Sequence, residues 1–206
     1  EGYEKIWERN AFEGQPHYPV PVDEVHAGYD LDKDGNLEFY VITDHSNPNG
    51  PEGEWTDGTS VYLYEWDGEA FSLEWSWFDT TLATGAASFP TSAVADLDGD
   101  GNQEIVLGIP HGTGNPAPDV SPTVIYIFEF SSEGGPSAPT ATWTALAGPG
   151  TNTRPSGMDA GDIDGDGEDE VAVGFRAYST ATTNDALMIF SLDGGFAVPL
   201  PSSKPK

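Results

Sequence analysis

At 206 residues, with 35 Asp and Glu against 7 Lys and Arg, the chain carries a formal charge of −28, which repels a phosphate backbone or an anionic membrane surface. The absence of Cys excludes a disulfide framework, a thiolate metal site and a thiol nucleophile. Hydrophobic residues at 37% suffice for one sizeable all-β domain or two small ones, no apolar run approaches the roughly eighteen residues of a membrane span, and the 25 Gly and 17 Pro break every window of helical periodicity.

In chain order, the first predicted element is a strand over residues 3–12 that carries Trp7. A strand rich in small residues follows in VHAGYD, then an acidic loop, DLDKDGNLE, that starts at Asp30. Residues 37–43 are apolar on both pleat faces and read as a strand covered on both sides. A third strand over 61–66 turns at Asp67-Gly68 into a fourth over 73–78 with Trp75 and Trp77. The series then repeats. SAVADLD leads into an acidic loop at Asp96, with strands over 105–109, 124–130 and 140–146, the last marked by Trp143. GMDAGDID leads into a third loop at Asp162, with strands over 171–175 and 186–192, and a would-be fourth over 196–200 is cut by Pro199 and Pro201. The loops are spaced 96 − 30 = 66 and 162 − 96 = 66 residues apart, so one supersecondary unit is used three times. The expected fold is all-β: a single domain of three four-stranded antiparallel propeller-like blades, a partial or open β-propeller, each with one of the acidic loops. The outer strand spans 3–12, and the repeats span about 25–78, 91–146 and 156–200.

The loops have the chemistry of a hard-cation site. Calcium takes about six to eight oxygen ligands, and alternate carboxylates on a tight loop converge on one point. The first loop offers Asp30, Asp32, Asp34 and Glu38, with Asn36 contributing its backbone carbonyl; the second offers Asp96, Asp98, Asp100 and Glu104, with Asn102; the third offers Asp162, Asp164, Asp166 and Glu170, with Glu168. Gly35, Gly101 and Gly167 permit the turn. An EF-hand needs an acid at the twelfth loop position, where these loops hold Val41, Leu107 and Val173. Four like charges crowded together without a counter-ion resist folding, so about three calcium ions are expected. Magnesium gives up its water shell too reluctantly for such a cage.

The D-x-D-x-D-G-x-x-E loops, each followed by a short apolar strand, resemble the FG-GAP or VCBS repeat family of calcium-loop propeller blades. Family propellers close with more blades than three, so the resemblance implies that closure needs more than these repeats.

The four histidines, His17, His26, His45 and His111, share no ligand spacing, and no nucleophile motif stands out, so no enzyme activity is expected. Trp66, Trp75, Trp77 and Trp143 are expected to pack between blades. The leading functional reading is an extracellular structural or adhesive protein that self-assembles head to tail, the strand over 3–12 entering the third repeat of a neighbouring copy, which gives a filament or, if the rotation closes, a six-bladed dimer, with the filament favoured. The alternative is a carbohydrate-binding module that uses Trp55 and the loops over 44–60, 110–123 and 176–185. The stretch over 131–156 has the Ser, Thr and Pro content of a segment carrying O-linked sugar. Free calcium abounds outside cells, so secretion is expected, with a signal peptide removed before Glu1.

Overall fold

The computed structural model describes residues 4, 5, 7, 8, 22–45, 58–79, 90–110, 120, 121, 123–131, 134–145, 151–177 and 186–192. Among them every regular element is a strand, and no helix is long and apolar enough to cross a membrane. The first sheet runs β1 (Val22–Tyr29), β2 (Glu38–His45), β3 (Gly58–Trp66) and β4 (Phe71–Phe78), antiparallel and in sequence order. The second holds β5 (Thr91–Ala95) and β6 (Glu104–Pro110), then, after the two-residue β7 (Val120–Ser121), β8 (Thr123–Phe128) and β9 (Ala141–Ala145). The third is built from β10 (Thr151–Gly161), β11 (Glu170–Ala177) and β12 (Ala186–Phe190).

One expectation falls short in the third sheet. Its described fourth member is not an outer strand but β7, which pairs in parallel with the start of β10. β10 is eleven residues long and outruns the inner strands β1 and β5, so its free edge at Thr151 and Asn152 takes up Val120 and Ser121 from a segment expected to be loop. The predicted fourth strand over 196–200 lies outside the described residues. Pro155 sits inside β10, where it is accommodated by a register shift between Pro155 and Gly157. At the other end, Glu4, Lys5, Trp7 and Glu8 are the described residues of the expected strand over 3–12, and none is in a strand.

The sheets stack face to face, and alternation along the middle sheet explains how. Ile105, Leu107, Ile109, Val124, Tyr126 and Phe128 join one core with Tyr40, Ile42, Val61, Leu63 and Trp75 of the first sheet. Val106, Ile125 and Ile127, on the opposite pleat face, join another with Val171, Val173 and Phe175 of the third. A run apolar on both faces is therefore what a strand covered on both sides requires. At roughly 25 cal/mol per Å² of apolar area removed from water, these two interfaces are the main source of stability.

Tryptophans clasp each interface. The β3, β8 and β12 aromatics Tyr64, Phe128 and Phe190 occupy equivalent places, each facing a residue 66 apart from the next, Phe39, Ile105 and Val171. Trp75 and Trp77 of the first sheet lie 5.3 and 4.9 Å from Phe128, and Trp143 of the second lies 4.3 Å from Phe190. Trp7 lies 5.6 Å from Tyr64 and from Phe39, at the place a fourth-strand tryptophan of a preceding sheet takes. Trp66 departs from the expected packing between sheets: it sits half-exposed against Phe71 of its own sheet. The Trp75 indole N–H donates to the Pro136 carbonyl at 2.8 Å, and Gly135 lies against the same ring. Part of the Ser, Thr and Pro-rich stretch over 131–156 thus belongs to an interface.

Candidate metal centre

The three acidic loops join β1 to β2, β5 to β6 and β10 to β11, and one set of hydrogen bonds shapes them all. The first Asp accepts from the N–H of the turn glycine: Asp30 from Gly35 at 3.3 Å, Asp96 from Gly101 at 3.0 Å, Asp162 from Gly167 at 3.2 Å. The second Asp accepts from the N–H of the third, Asp32 from Asp34 and Asp98 from Asp100, Asp164 from Asp166, at 3.1, 3.2 and 3.2 Å. The third accepts from the residue after the glycine, Asn36, Asn102 or Glu168, at 2.8 to 3.0 Å. Side-chain acceptors on successive N–H groups wind the chain into a coil that no regular ladder competes for.

Two positions in each coil have a left-handed backbone. One is the turn glycine; the other holds Gly99 and Gly165 in the later loops but Lys33, at φ 61°, in the first, the one non-glycine residue with positive φ among the described residues. The closing glutamate begins the next strand and reaches back: Glu38, Glu104 and Glu170 accept from the N–H of Leu31, Leu97 and Ile163 at 2.6, 2.8 and 2.8 Å.

This geometry gathers carboxylates. Oxygens of Asp30, Asp32, Asp34 and Glu38 lie within 4.8 Å of one another, as do those of Asp96, Asp98 and Asp100 and those of Asp162, Asp164 and Glu170. Glu104 and Asp166 fall outside that spacing in their own loops. Asn36 and Asn102 turn their side-chain amides onto Asp34 and Asp100, both at 2.9 Å, and Glu168 leans toward Gly99 of the second loop.

The electrostatics call for a cation. Glu38 and Glu104 are buried, yet Oε1 of each has no hydrogen-bond partner, and neither has Oδ1 of Asp96. Burial pushes Glu38 up to about 7, with further pressure from Glu74, Asp32 and Asp30. Glu104 is likewise pushed up to about 7 by burial, then by Asp98, Asp96 and Glu129. A buried, unpartnered carboxylate oxygen beside other carboxylates is costly unless a positive charge faces it. Oxygen-only, anionic donors of this kind suit a calcium ion.

Several residues escaped the sequence reading. Glu65 on β3 and Glu74 on β4 bring oxygens within 4.8 Å of Asp32, and burial first, then Asp32, Glu65 and Asp34, pushes Glu74 up to about 7. As isolated strand residues they gave no signal. Asp169 fastens the second loop to the third, its N–H donating to the Asp96 carbonyl at 2.8 Å and its carboxylate accepting from the Asp96 N–H at 2.9 Å. Between the first two sheets, Glu24 accepts from the Ser92 hydroxyl at 2.7 Å, His26 Nε2 lies 3.2 Å from both, and the Tyr40 and Ser92 hydroxyls are 3.0 Å apart. His26, which shares no ligand spacing with the other histidines, is thus part of an interface network. Ser92 is buried and the glutamate shares Nε2 with it instead of holding Nδ1, so the trio lacks the arrangement of a nucleophilic triad. Trp55 and most of the loops expected to form a binding face lie outside the described residues.

Residues 30–107 match the family model described as FG-GAP-like repeat, which covers the first two acidic loops and bears out the resemblance. Among solved structures, the chain is similar to the rhamnogalacturonan lyase PL11 of Bacillus licheniformis, with 17% identity and a TM-score of 0.49 over 82% of this chain and 35% of that one. The chain therefore spans about a third of that lyase's length. A search of the curated proteins found no match.

Proposed function

We propose that this chain is an extracellular, calcium-stabilised structural or adhesive protein without enzyme activity, whose three sheets are blades of an open propeller that continue into neighbouring copies. The observation that carries the calcium reading is the buried glutamate of the first two loops, which spends one oxygen on a backbone N–H and leaves the other without a protein partner among aspartates. Calcium held by Asp30, Asp32, Asp34 and Glu38, and by the corresponding residues of the other two loops, would lower the charge of each site by two and lock the coil on which the sheet interfaces depend. The ion's role is architectural: the loops lie between strands of one sheet, and Leu31 and Leu97 within them are core residues. Reliance on calcium fits the calcium-rich space outside cells. Assembly head to tail, with residues 3–12 adding a strand to the edge of β12, is supported by Trp7, which already lies where a fourth-strand tryptophan belongs. Calorimetric titration of the chelator-treated protein tests the calcium reading. About three ions per chain are expected, and a titration that finds none or one refutes it.

A further inference from the structure

The second residue of each acidic loop behaves differently at the end of the stack. Leu31 is 0% exposed and packs on the second sheet, and Leu97 is 3% exposed and packs on the third, whereas Ile163, 66 residues further on, is 56% exposed. In each case the residue's N–H is held by the closing glutamate, so the side chain is presented in the same way. What differs is that, among the described residues, no sheet covers the outward face of the third. Apart from the exposed Asp159, the outward face of that sheet is otherwise shallow: Leu187 pairs with Gly174 and Gly174 with Gly157, while Ile189 pairs with Ala172 and Ala172 with Asp159. Leu187 is 72% exposed.

The first sheet shows the opposite face. Leu73, Tyr64 and Phe39 form one cross-strand row and Val25, Val41 and Tyr62 another, both pointing away from the second sheet. Val25 and Leu73 are exposed, whereas Tyr64 is buried and Phe39 half-buried, with Trp7 lying on both and on Phe71. In the second and third sheets the places of Phe39 and Tyr64 are filled by the pairs Ile105 with Phe128 and Val171 with Phe190, each packed against the sheet before it.

We propose that these two end faces are the halves of one further interface: the third sheet of one copy, with Ile163 and Leu187 as its knobs, docks on the aromatic face of the first sheet of a second copy. The relation is the one by which the first sheet joins the second and the second joins the third, so the contact continues an interface the fold already uses twice. Shape agrees, because glycine and alanine on one side meet Phe, Tyr and Leu on the other. The contact is heterologous, leaving each copy with one free end of each kind. A charge of −28 on every copy opposes association, so bound cations and added salt should favour it. The inference rests on the proposed head-to-tail stacking and names its surface.

The test uses two variants of the whole chain, one blocked at the tail by Ile163→Glu with Leu187→Glu, the other at the head by Val25→Glu with Leu73→Glu. All four side chains are exposed, so the fold should tolerate them. Sedimentation velocity in excess calcium should show wild-type species that grow with concentration, and self-association weakened at least about tenfold in either variant alone, the effect of about 1.4 kcal/mol. Mixed in equal amounts, the two variants should form a dimer and nothing larger, because each keeps one competent end. A wild-type chain that stays monomeric at all concentrations overturns the proposal, as does assembly unaffected by both variants. Assembly that persists in both variants overturns this surface and leaves head-to-tail stacking through residues 3–12 standing, whereas a monomeric wild type overturns both; calcium titration of the blocked variants reads the metal sites separately.

Discussion

Replacing Glu38 with Gln should change stability in opposite directions with and without calcium. The wild-type carboxylate keeps Oε2 on the Leu31 N–H at 2.6 Å, a bond that the amide oxygen can retain. Its Oε1 is buried without a partner; a side-chain NH2 group placed there would face the carboxylates of Asp30, Asp32 and Asp34, which can accept from it. In chelator at pH 8 the wild type must bury a charge that its surroundings resist, whereas the amide has none. The variant should therefore be more stable by about 1 kcal/mol, a figure set well below the full burial penalty to allow for solvent screening. In calcium the same substitution removes one of the four ligand charges. A tenfold loss of affinity at that loop costs about 1.4 kcal/mol once calcium is in excess, and a hundredfold loss twice that. Urea denaturation followed by tryptophan fluorescence, run in parallel in excess calcium and in chelator, gives both numbers. A shift of the same sign in the two conditions would show that Glu38 is a structural hydrogen-bond acceptor and not a ligand.

Leu97→Ala should cost about 3 kcal/mol, because it empties a buried site beside an apolar space already lined by Ile125, Val171 and Phe190, while Ile163→Ala in dilute protein should stay within about 0.5 kcal/mol. Equal effects in urea denaturation would mean that the two loop residues are packed alike. Gly135→Ala places a methyl group against the Trp75 indole and the Phe130 ring, and a loss of about 1 to 3 kcal/mol with a shifted tryptophan emission is expected. In chelator the melting temperature should fall as pH rises from about 4.5 to about 7. Glu38, Glu104 and Glu74 are raised to about 7 in the folded chain, so the unfolded chain gives up its protons first and ionisation favours unfolding across that window. A melting temperature that climbs over the same range in chelator contradicts the assignment.

The loops were legible because their chemistry is local. Asp at alternate positions with Gly sixth and Glu ninth fixes both the coil and its donor set within one stretch of chain. Strands such as β6 and β11 were legible for a related reason, since residues apolar on both pleat faces have one structural use. Strand ends shifted by a few residues because pairing partners, not propensity, decide where a ladder stops. What depended on neighbours did not show: Glu65 and Glu74 meet Asp32 only through strand register, and Ser92 meets Glu24 and His26 only because two sheets pack. β7 forms because β10 has spare edge, a circumstance absent from the sequence of residues 120 and 121.

Among the described residues only the middle sheet is covered by another sheet on both faces, and this bears on how the molecule opens. In a linear stack, detaching either terminal sheet breaks one interface, whereas exposing the middle one breaks two. Amide protons of β6 and β8 should therefore exchange at rates set by global unfolding, while those of β1 to β4 and β10 to β12 exchange through smaller, separate openings. A protease acting on such partly opened forms would trim the chain from its ends inward, with the second repeat the last to be cut.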